Sequence, residues 1–372
     1  MTDVVIIGGG VVGLSLAYEL AGQGASVKVI EQGGLGREAS WAGAGILPPG
    51  NPEHAESPID RLRAESAARW PALSQRLLDE TGVDNGFRNC GGIILSLSGP
   101  SNQLADEVAQ WGLEGVEAVE LSVEELALQE PALSQAVVAA YRLPGLSQVR
   151  NPRHLKALIA GCLSRGVQMV VGEPVVALDR EQGKVVAAVT PVGEHRAGQF
   201  CICGGAWSRR LLDEAHIDVE IEPVRGQIVQ LSCMPLPFQQ VIEVGSRYLV
   251  PRPDGLVLVG STEERVGFEK GNTAAAVSGL IEFAVDVCPE LARARFERAW
   301  SGLRPRTADS LPLMGAVPGA ENLYVAAGHF RSGLQQSPGT ALLLRQVMLG
   351  QETTIPLEGF SCERQATVLP SI

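Results

Sequence analysis

Apolar residues in this chain fall in short runs punctuated by glycine. Val4 to Ile7 are four apolar residues in a row, bounded by Asp3 and Gly8. A run of that length with a glycine exit predicts a buried strand. Leu14, Ala17, Leu20 and Ala21 then recur at helical spacing, and Val27 to Ile30 predicts a second strand that ends in Glu31. Ser57-Pro58 supplies an N-cap and a first helical residue for a helix through Leu62, Ala67 and Leu73 to about Thr81, with Pro71 kinking or splitting it.

Cys90 to Leu97 reads as a strand, and residues 101–135 as short helices with a capping box at Ser122 to Glu125. Asn151-Pro152 opens another helix, closed by Gly166. Val167 to Val171 follows as a strand. Val175 to Leu178, Val185 to Thr190 and Phe200 to Cys203 are expected to form a β-meander. From about 221 to 300 the pattern changes to strands: Ile228 to Leu231, Arg247 to Arg252 and Leu256 to Gly260, with Pro253-Asp254-Gly255 as a hairpin turn. A helix is expected over about 273–287. Leu323 to Gly328 predicts a final strand, and Gly333 starts a long helix.

The fold class is therefore mixed α/β: a Rossmann-like domain with an inserted antiparallel sheet. The expected division is 1–88, 145–220 and 301–372 for the nucleotide-binding domain, and 89–144 and 221–300 for the substrate-binding domain.

Gly8, Gly10 and Gly13 fit G-x-G-x-x-G between the first strand and the first helix. The first glycine permits a tight turn, the second lets backbone amides approach a pyrophosphate, and the third lets helix and strand pack closely. The helix N-terminus offers unpaired N–H groups and the positive end of its dipole to phosphates. Glu31 can accept hydrogen bonds from both ribose hydroxyls, and its charge disfavours a 2′-phosphate.

Two more strands end in glycine, at Cys203-Gly204-Gly205 and Gly328-His329-Phe330. Nicotinamide enzymes usually keep their cofactor domain contiguous, so three separated glycine-bearing strand ends suit a longer dinucleotide, FAD. A helix from Gly333 would point its N-terminus at the flavin N1–C2=O edge and favour reduction. The small residues of Gly33 to Leu47 suit backbone lying against a flat ligand.

Composition narrows the class. The 372 residues are 45% hydrophobic and 19% charged, as in a soluble enzyme with a large core. No run approaches a membrane span, and the first strand starts so early that no signal peptide is expected. Seven cysteines without a Cys-x-x-Cys point to a reducing cytoplasm, with Cys201 and Cys203 as buried small residues. The net charge of −12 argues against a nucleic-acid partner, and no basic amphipathic stretch marks a membrane-facing patch. No metal-binding cluster and no Ser/His/Asp arrangement stand out. His54, His154, His195 and His216 read as surface residues.

Ser40 to Ile46, Gly204 to Ser208, Ser301-Gly302-Leu303-Arg304-Pro305 with Asp309 and Pro312, and Gly328 to Gly333 together resemble the FAD-dependent amino-acid oxidases of the D-amino-acid oxidase superfamily. The resemblance covers essentially the whole chain, and order and spacing point to the glycine-oxidising branch. It implies FAD contacts at Val11, Val12, Glu31, Gln32, Ala39, Ser40, Ala44, Gly45, Ile46, Val175, His329, Phe330, Arg331, Ser332, Gly333, Leu334 and Gln335, and substrate contacts at Tyr248, Arg304 and Arg331. It also implies a homo-oligomer, a tetramer.

The implied reaction is oxidation of glycine and small amines such as sarcosine or D-alanine, by hydride transfer to flavin N5. The products are glyoxylate, ammonia and hydrogen peroxide, and the imine feeds thiazole (thiamine) synthesis. The loop His329 to Ser332 lacks the cysteine by which sarcosine oxidases attach their flavin, so FAD is expected to be non-covalent.

Chemistry supports the substrate residues: a buried amino-acid carboxylate suits a planar guanidinium, which makes a two-pronged pair that lysine cannot. Arg304 is expected in a turn between Leu303 and Pro305, with Arg252 and Arg306 as rivals for its role. Glu263 either pairs with the substrate amine or, as expected here, faces solvent. The competing readings are a D-amino-acid or sarcosine-type oxidase, a quinone-linked dehydrogenase, the flavin half of an RNA-modifying enzyme, and a flavin-binding module without turnover.

Overall fold

The computed structural model describes residues 2–97, 102–364 and 367–368; the expected helix start at residue 101 lies outside them. The chain opens with β1 (Val4–Ile7), α1 (Val11–Ala21) and β2 (Val27–Glu31). Helix α2 (Pro58–Thr81) leads to β3 (Gly92–Ser96), and α3 (Asn102–Leu113) to β4 (Val119–Leu121). A short helix with the expected Ser122–Glu125 capping box precedes β5 (Ala139–Leu143). Next come α4 (Asn151–Ser164), β6 (Gln168–Val171), a three-stranded meander and β7 (Gln199–Ile202). The strands β8 (Ile221–Ser232), β9 (Val241–Val244), β10 (Arg247–Pro251) and β11 (Leu256–Gly260) follow. Helix α5 (Ala274–Val287) and β12 (Arg295–Thr307) come before β13 (Leu313–Ala316), β14 (Leu323–Ala327) and α6 (Gly333–Met348).

Two sheets organise these elements. The first has order β13-β14-β7-β1-β2-β6 and is parallel except for β13. Its central strands β1, β7 and β14 are apolar on both faces because helices cover one side and the meander region the other. The second has order β12-β8-β11-β10-β9-β3-β5-β4. Its residues alternate between faces, with one irregularity in the β8–β12 ladder at Gln230 and Leu231. Val229, Leu249, Val257 and Ile242 pack on one face with α5, and Ile228, Val250, Leu258 and Val241 pack on the other.

Helix α2 shows how local signals and packing cooperate. Ser57 Oγ accepts from the Asp60 N–H, Pro58 occupies the first turn, and Gly82 ends the helix at φ +68°. The helix continues through Pro71, so of the expected kink or split the split does not occur. Trp70 Nε1 donates to the Gln335 carbonyl at 2.9 Å, and Ser66 Oγ to the Gln336 carbonyl at 3.2 Å. These bonds hold the first turn of α6 in place.

Three expectations are corrected. Phe200 to Cys203 is not part of the meander: β7 pairs with β1 and β14 in the centre of the first sheet, where both its faces are buried. The meander is Ala177–Glu181, Lys184–Thr190 and Gly193–Arg196, and its third strand is too polar for the hydrophobic pattern to reveal. Arg304 is not in a turn. It lies within β12, and Pro305 is tolerated there because β12 is the edge of its sheet. His154 is not a surface residue. It is buried against Trp70, with ring centroids 4.7 Å apart, and burial pushes its pKa down to about 3. His54 and His216 are exposed, and His195 is half-buried beside Glu173.

Arg252 ties the second sheet to the loop after β2. Buried, it donates to the Gln148 side chain at 2.5 Å and to the Val149 and Ala44 carbonyls at 3.1 and 2.6 Å. Arg252→Leu leaves these acceptors unpaired, so it should destabilise the fold by about 3 kcal/mol in urea unfolding.

Candidate active site

One cavity of about 380 Å³ runs from the glycine turn after β1 to the face of the second sheet that carries Gly226. Two kinds of lining meet in it. Toward the first sheet many of the lining residues are glycines, with Glu31 and Gln32 among the polar ones. Toward the second it is lined by Arg304, Tyr248 and Glu243.

The dinucleotide end is built by local geometry. Gly8 has φ +117°, and a Cβ there would collide with the Cys203 carbonyl at the end of β7. A Cβ on Gly13 would collide with the Gly8 carbonyl. Gly13 therefore packs α1 against the turn and, unlike Gly8 and Gly10, does not line the cavity. The first N–H of α1, on Val11, donates to Ser40 Oγ at 2.9 Å. Glu31 accepts from the N–H groups of Gly9 and Gly33, both at 2.8 Å, through different oxygens. A carboxylate has about four acceptor sites, so two remain for ribose hydroxyls.

Every other residue expected at the cofactor lines this cavity: Gly8, Gly10, Val11, Val12, Glu31, Gln32, Ala39, Ser40, Ala44, Gly45, Ile46, Val175 and the run His329 to Gln335. His329 is buried, its Nε2 lies 3.0 Å from Thr340 Oγ1, and burial pushes its pKa down to about 4. It is neutral at physiological pH. The N-terminus of α6 opens on the same space.

The residues fit FAD on two observations. The cradle carries bare backbone wherever a side chain would intrude, at Gly8 and Gly10 and at the strand end Gly204-Gly205. The second is Asn151, which lines the cavity and donates to the Ser40 carbonyl at 2.8 Å, while its Oδ1 is buried without a protein partner. Such an acceptor calls for a donor from a ligand. Asn151 was legible only as a helix opener; its place beside the loop after β2 depends on tertiary packing.

The substrate end is a row across the second sheet. Glu243 of β9 is opposite Tyr248 of β10, Tyr248 is opposite Gly260 of β11, and Gly260 is opposite Ile228 of β8. Two residues before Ile228, Gly226 faces Gly302, and Arg304 follows on the same face of β12. A Cβ on Gly226 would collide with the Arg304 guanidinium, and one on Gly260 would lie 2.5 Å from the Tyr248 hydroxyl. Arginine and tyrosine thus lie flat over strands that carry no side chain there.

Arg304 Nη1 donates to the Thr262 carbonyl at 3.0 Å and Nη2 to Ser261 Oγ at 2.7 Å. Burial lowers its pKa, and neighbouring Tyr248 works in the opposite direction; a guanidinium stays charged regardless. The rivals have other roles. Arg252 is the tie described above, and Arg306 stacks on Phe330 and donates to Ser310.

Arg331 also lines the cavity, but its guanidinium is engaged. It pairs with Glu263 at 2.7 Å and donates to the Ser246 carbonyl at 2.9 Å. Glu263 is solvent-exposed and does not line the cavity, as expected, and from outside it holds Arg331. Glu243 was missed. It stands in the apolar stretch Val241-Ile242-Glu243-Val244, and hairpin register across Gly245-Ser246 is the signal that puts it opposite Tyr248. Burial pushes its pKa up to about 7, Glu107 adds to the rise, and Arg331 opposes it.

A family model described as FAD dependent oxidoreductase matches residues 3–347. The chain belongs to this family, the D-amino-acid oxidase type. It is 36% identical over 355 residues to glycine oxidase of Pseudomonas aeruginosa, covering 95% of this chain and 96% of that one. It is 31% identical over 372 residues to the bifunctional protein ThiO/ThiG of Synechocystis, covering 98% of this chain and 54% of that one. The crystal structure of glycine oxidase from Geobacillus kaustophilus superposes with a TM-score of 0.91 at 31% identity, covering 100% of this chain and 99% of the other. The mixed α/β architecture and FAD dependence follow from this membership.

Two predictions arise from the site. Gly226→Ala displaces the Arg304 guanidinium, so the holoprotein should keep its FAD but bind acetate at least about 30-fold more weakly, read from perturbation of the flavin spectrum. Glu243 has a folded pKa above its unfolded one. Its contribution to stability is full below about pH 4.5 and is lost as pH rises through about 7. Glu243→Gln should therefore be more stable than the parent at pH 8, by up to about 3 kcal/mol, with the difference vanishing near pH 4.5.

Proposed function

We propose that this chain is an FAD-dependent amino-acid oxidase that converts glycine, and other small amines, to the imino acid, which hydrolyses to glyoxylate and ammonia. The observation that carries this reading is Arg304. It is a half-buried guanidinium, laid over bare Gly226, that faces the same cavity as the dinucleotide cradle. A guanidinium so placed suits a carboxylate, and the relatives named glycine oxidase point to the smallest amino acid.

The glycine turn, Glu31, the loop through Ser40 to Ile46 and the α6 N-terminus would hold FAD, which would supply two-electron oxidation with oxygen as the final acceptor. The chain's own residues orient and neutralise. Arg304 makes a planar pair with the carboxylate, its fork fixed by Ser261 and Thr262. The Tyr248 hydroxyl lies beside it and donates to the same carboxylate. Arg331, held by Glu263, adds positive charge at the mouth. With the carboxylate fixed, the Cα–H of the substrate has few orientations left, and this restriction is the main catalytic contribution.

The reading extends to setting. Supply of the imine to thiazole synthesis suits the fused relative named ThiO/ThiG. The seven cysteines are all free, which suits the cytoplasm. No helix among the described residues is long and apolar enough to cross a membrane. The assembly we propose is a homotetramer, as the family resemblance implies, and light scattering tests it.

Anaerobic titration of the holoprotein with glycine should bleach the flavin band, and air should restore it with formation of peroxide. Arg304→Lys should lower kcat/KM for glycine by about 100-fold or more. A wild-type flavin that no small amine bleaches would refute the oxidase reading.

A further inference from the structure

Glycine enters such a pocket at neutral pH as a zwitterion, and Arg304 accounts for only its carboxylate. The ammonium end needs a partner, and its proton must leave before the nitrogen lone pair can assist loss of the Cα–H with its electrons. Glu243 is the acidic side chain that faces this space. It shares a sheet face with Arg304 and Tyr248, stands directly opposite Tyr248 in the β9–β10 ladder and lines the cavity.

Among the described residues the Glu243 carboxylate has no hydrogen-bond partner. A carboxylate set in a mostly apolar sheet face without a donor is costly unless a ligand provides one. The charged and titratable groups around it are Tyr248 from β10, Arg331 from the loop before α6 and Glu107 from α3.

We propose that Glu243 is a further catalytic residue: it receives the substrate's ammonium group and takes its proton. The N–H bond breaks, an O–H bond forms on the Glu243 carboxyl, and the electron pair stays on nitrogen. This inference rests on the oxidase reading above. It deepens that reading by assigning the two ends of the substrate to two ends of one row: carboxylate at Arg304, amine at Glu243. The pocket then selects α-amino acids over carboxylates of equal size. The pKa near 7 suits the exchange, because a carboxyl of that basicity takes a proton more readily than an ordinary glutamate.

The test compares two ligands on the FAD-loaded wild type, Glu243→Gln and Glu243→Asp. Acetate carries only the carboxylate, and its affinity is read from perturbation of the flavin spectrum. Glycine carries both groups, and its effect is read as the rate of anaerobic flavin reduction across pH 6 to 10. Glu243→Gln should bind acetate as the wild type does and be reduced by glycine ~100-fold more slowly at pH 7. That deficit should shrink as pH approaches the amine's own pKa, and Glu243→Asp should recover part of the rate. Equal losses for acetate and glycine would make Glu243 a structural residue and overturn the inference. So would a Glu243→Gln protein reduced by glycine at the wild-type rate. A wild type that glycine does not reduce would remove the oxidase reading, and this inference with it.

Discussion

A guanidinium laid across a β-sheet needs a place to lie, and the placement of Arg304 constrains much of this molecule. The side chain spreads over β8 because Gly226 offers no Cβ beneath it. Gly260 does the same for Tyr248 on the next pair of strands. A sheet that gives up side chains at these positions loses packing there, and the loss is tolerated because the face closes on the cofactor cradle and not on a core. The rest of that face, Ile228, Val241, Val250 and Leu258, is packed in the ordinary way. The two glycines thus make a gap in an otherwise regular hydrophobic face.

The two sheets are tied together around this gap by polar contacts as well as by apolar packing. Arg252 reaches from the end of β10 to the Ala44 carbonyl. Trp300 Nε1 donates to the Ala42 carbonyl at 2.9 Å. The Phe330 N–H donates to the Pro305 carbonyl at 2.8 Å, beside the edge where the proline leaves the ladder unpaired. Each contact joins a cofactor-side loop to a substrate-side strand. Two of these contacts run from a side chain to a carbonyl and one from backbone to backbone, so the loops that line the cavity are fixed to the sheet at three points.

The nucleotide end was legible in the sequence because its signals are local. A four-residue apolar strand, three spaced glycines and Glu31 ending the next strand depend on nothing distant. The substrate end was legible only in part. Arg304 could be picked out by its chemistry, but Leu303-Arg304-Pro305 looked like a turn, because a proline excludes a central strand and the edge position of β12 is a tertiary fact. Phe200 to Cys203 looked like one more meander strand, since a short apolar run does not reveal which sheet receives it. His154 looked like surface until α2 placed Trp70 against it. Glu243 and Asn151 carry no motif at all; register in one case and packing in the other bring them to the cavity.

The central claim is that the substrate's carboxylate lies on Arg304 above Gly226, with its other end toward Glu243. The most direct measurement is a crystal structure of the FAD-loaded protein with glycolate, which places a hydroxyl where glycine has its amine. The account predicts the glycolate carboxylate in a two-pronged pair with Arg304, within reach of the Tyr248 hydroxyl, and the glycolate hydroxyl directed at the Glu243 carboxyl. A carboxylate seated instead on Arg331, with Arg304 bonded only to Ser261 and Thr262, would contradict it.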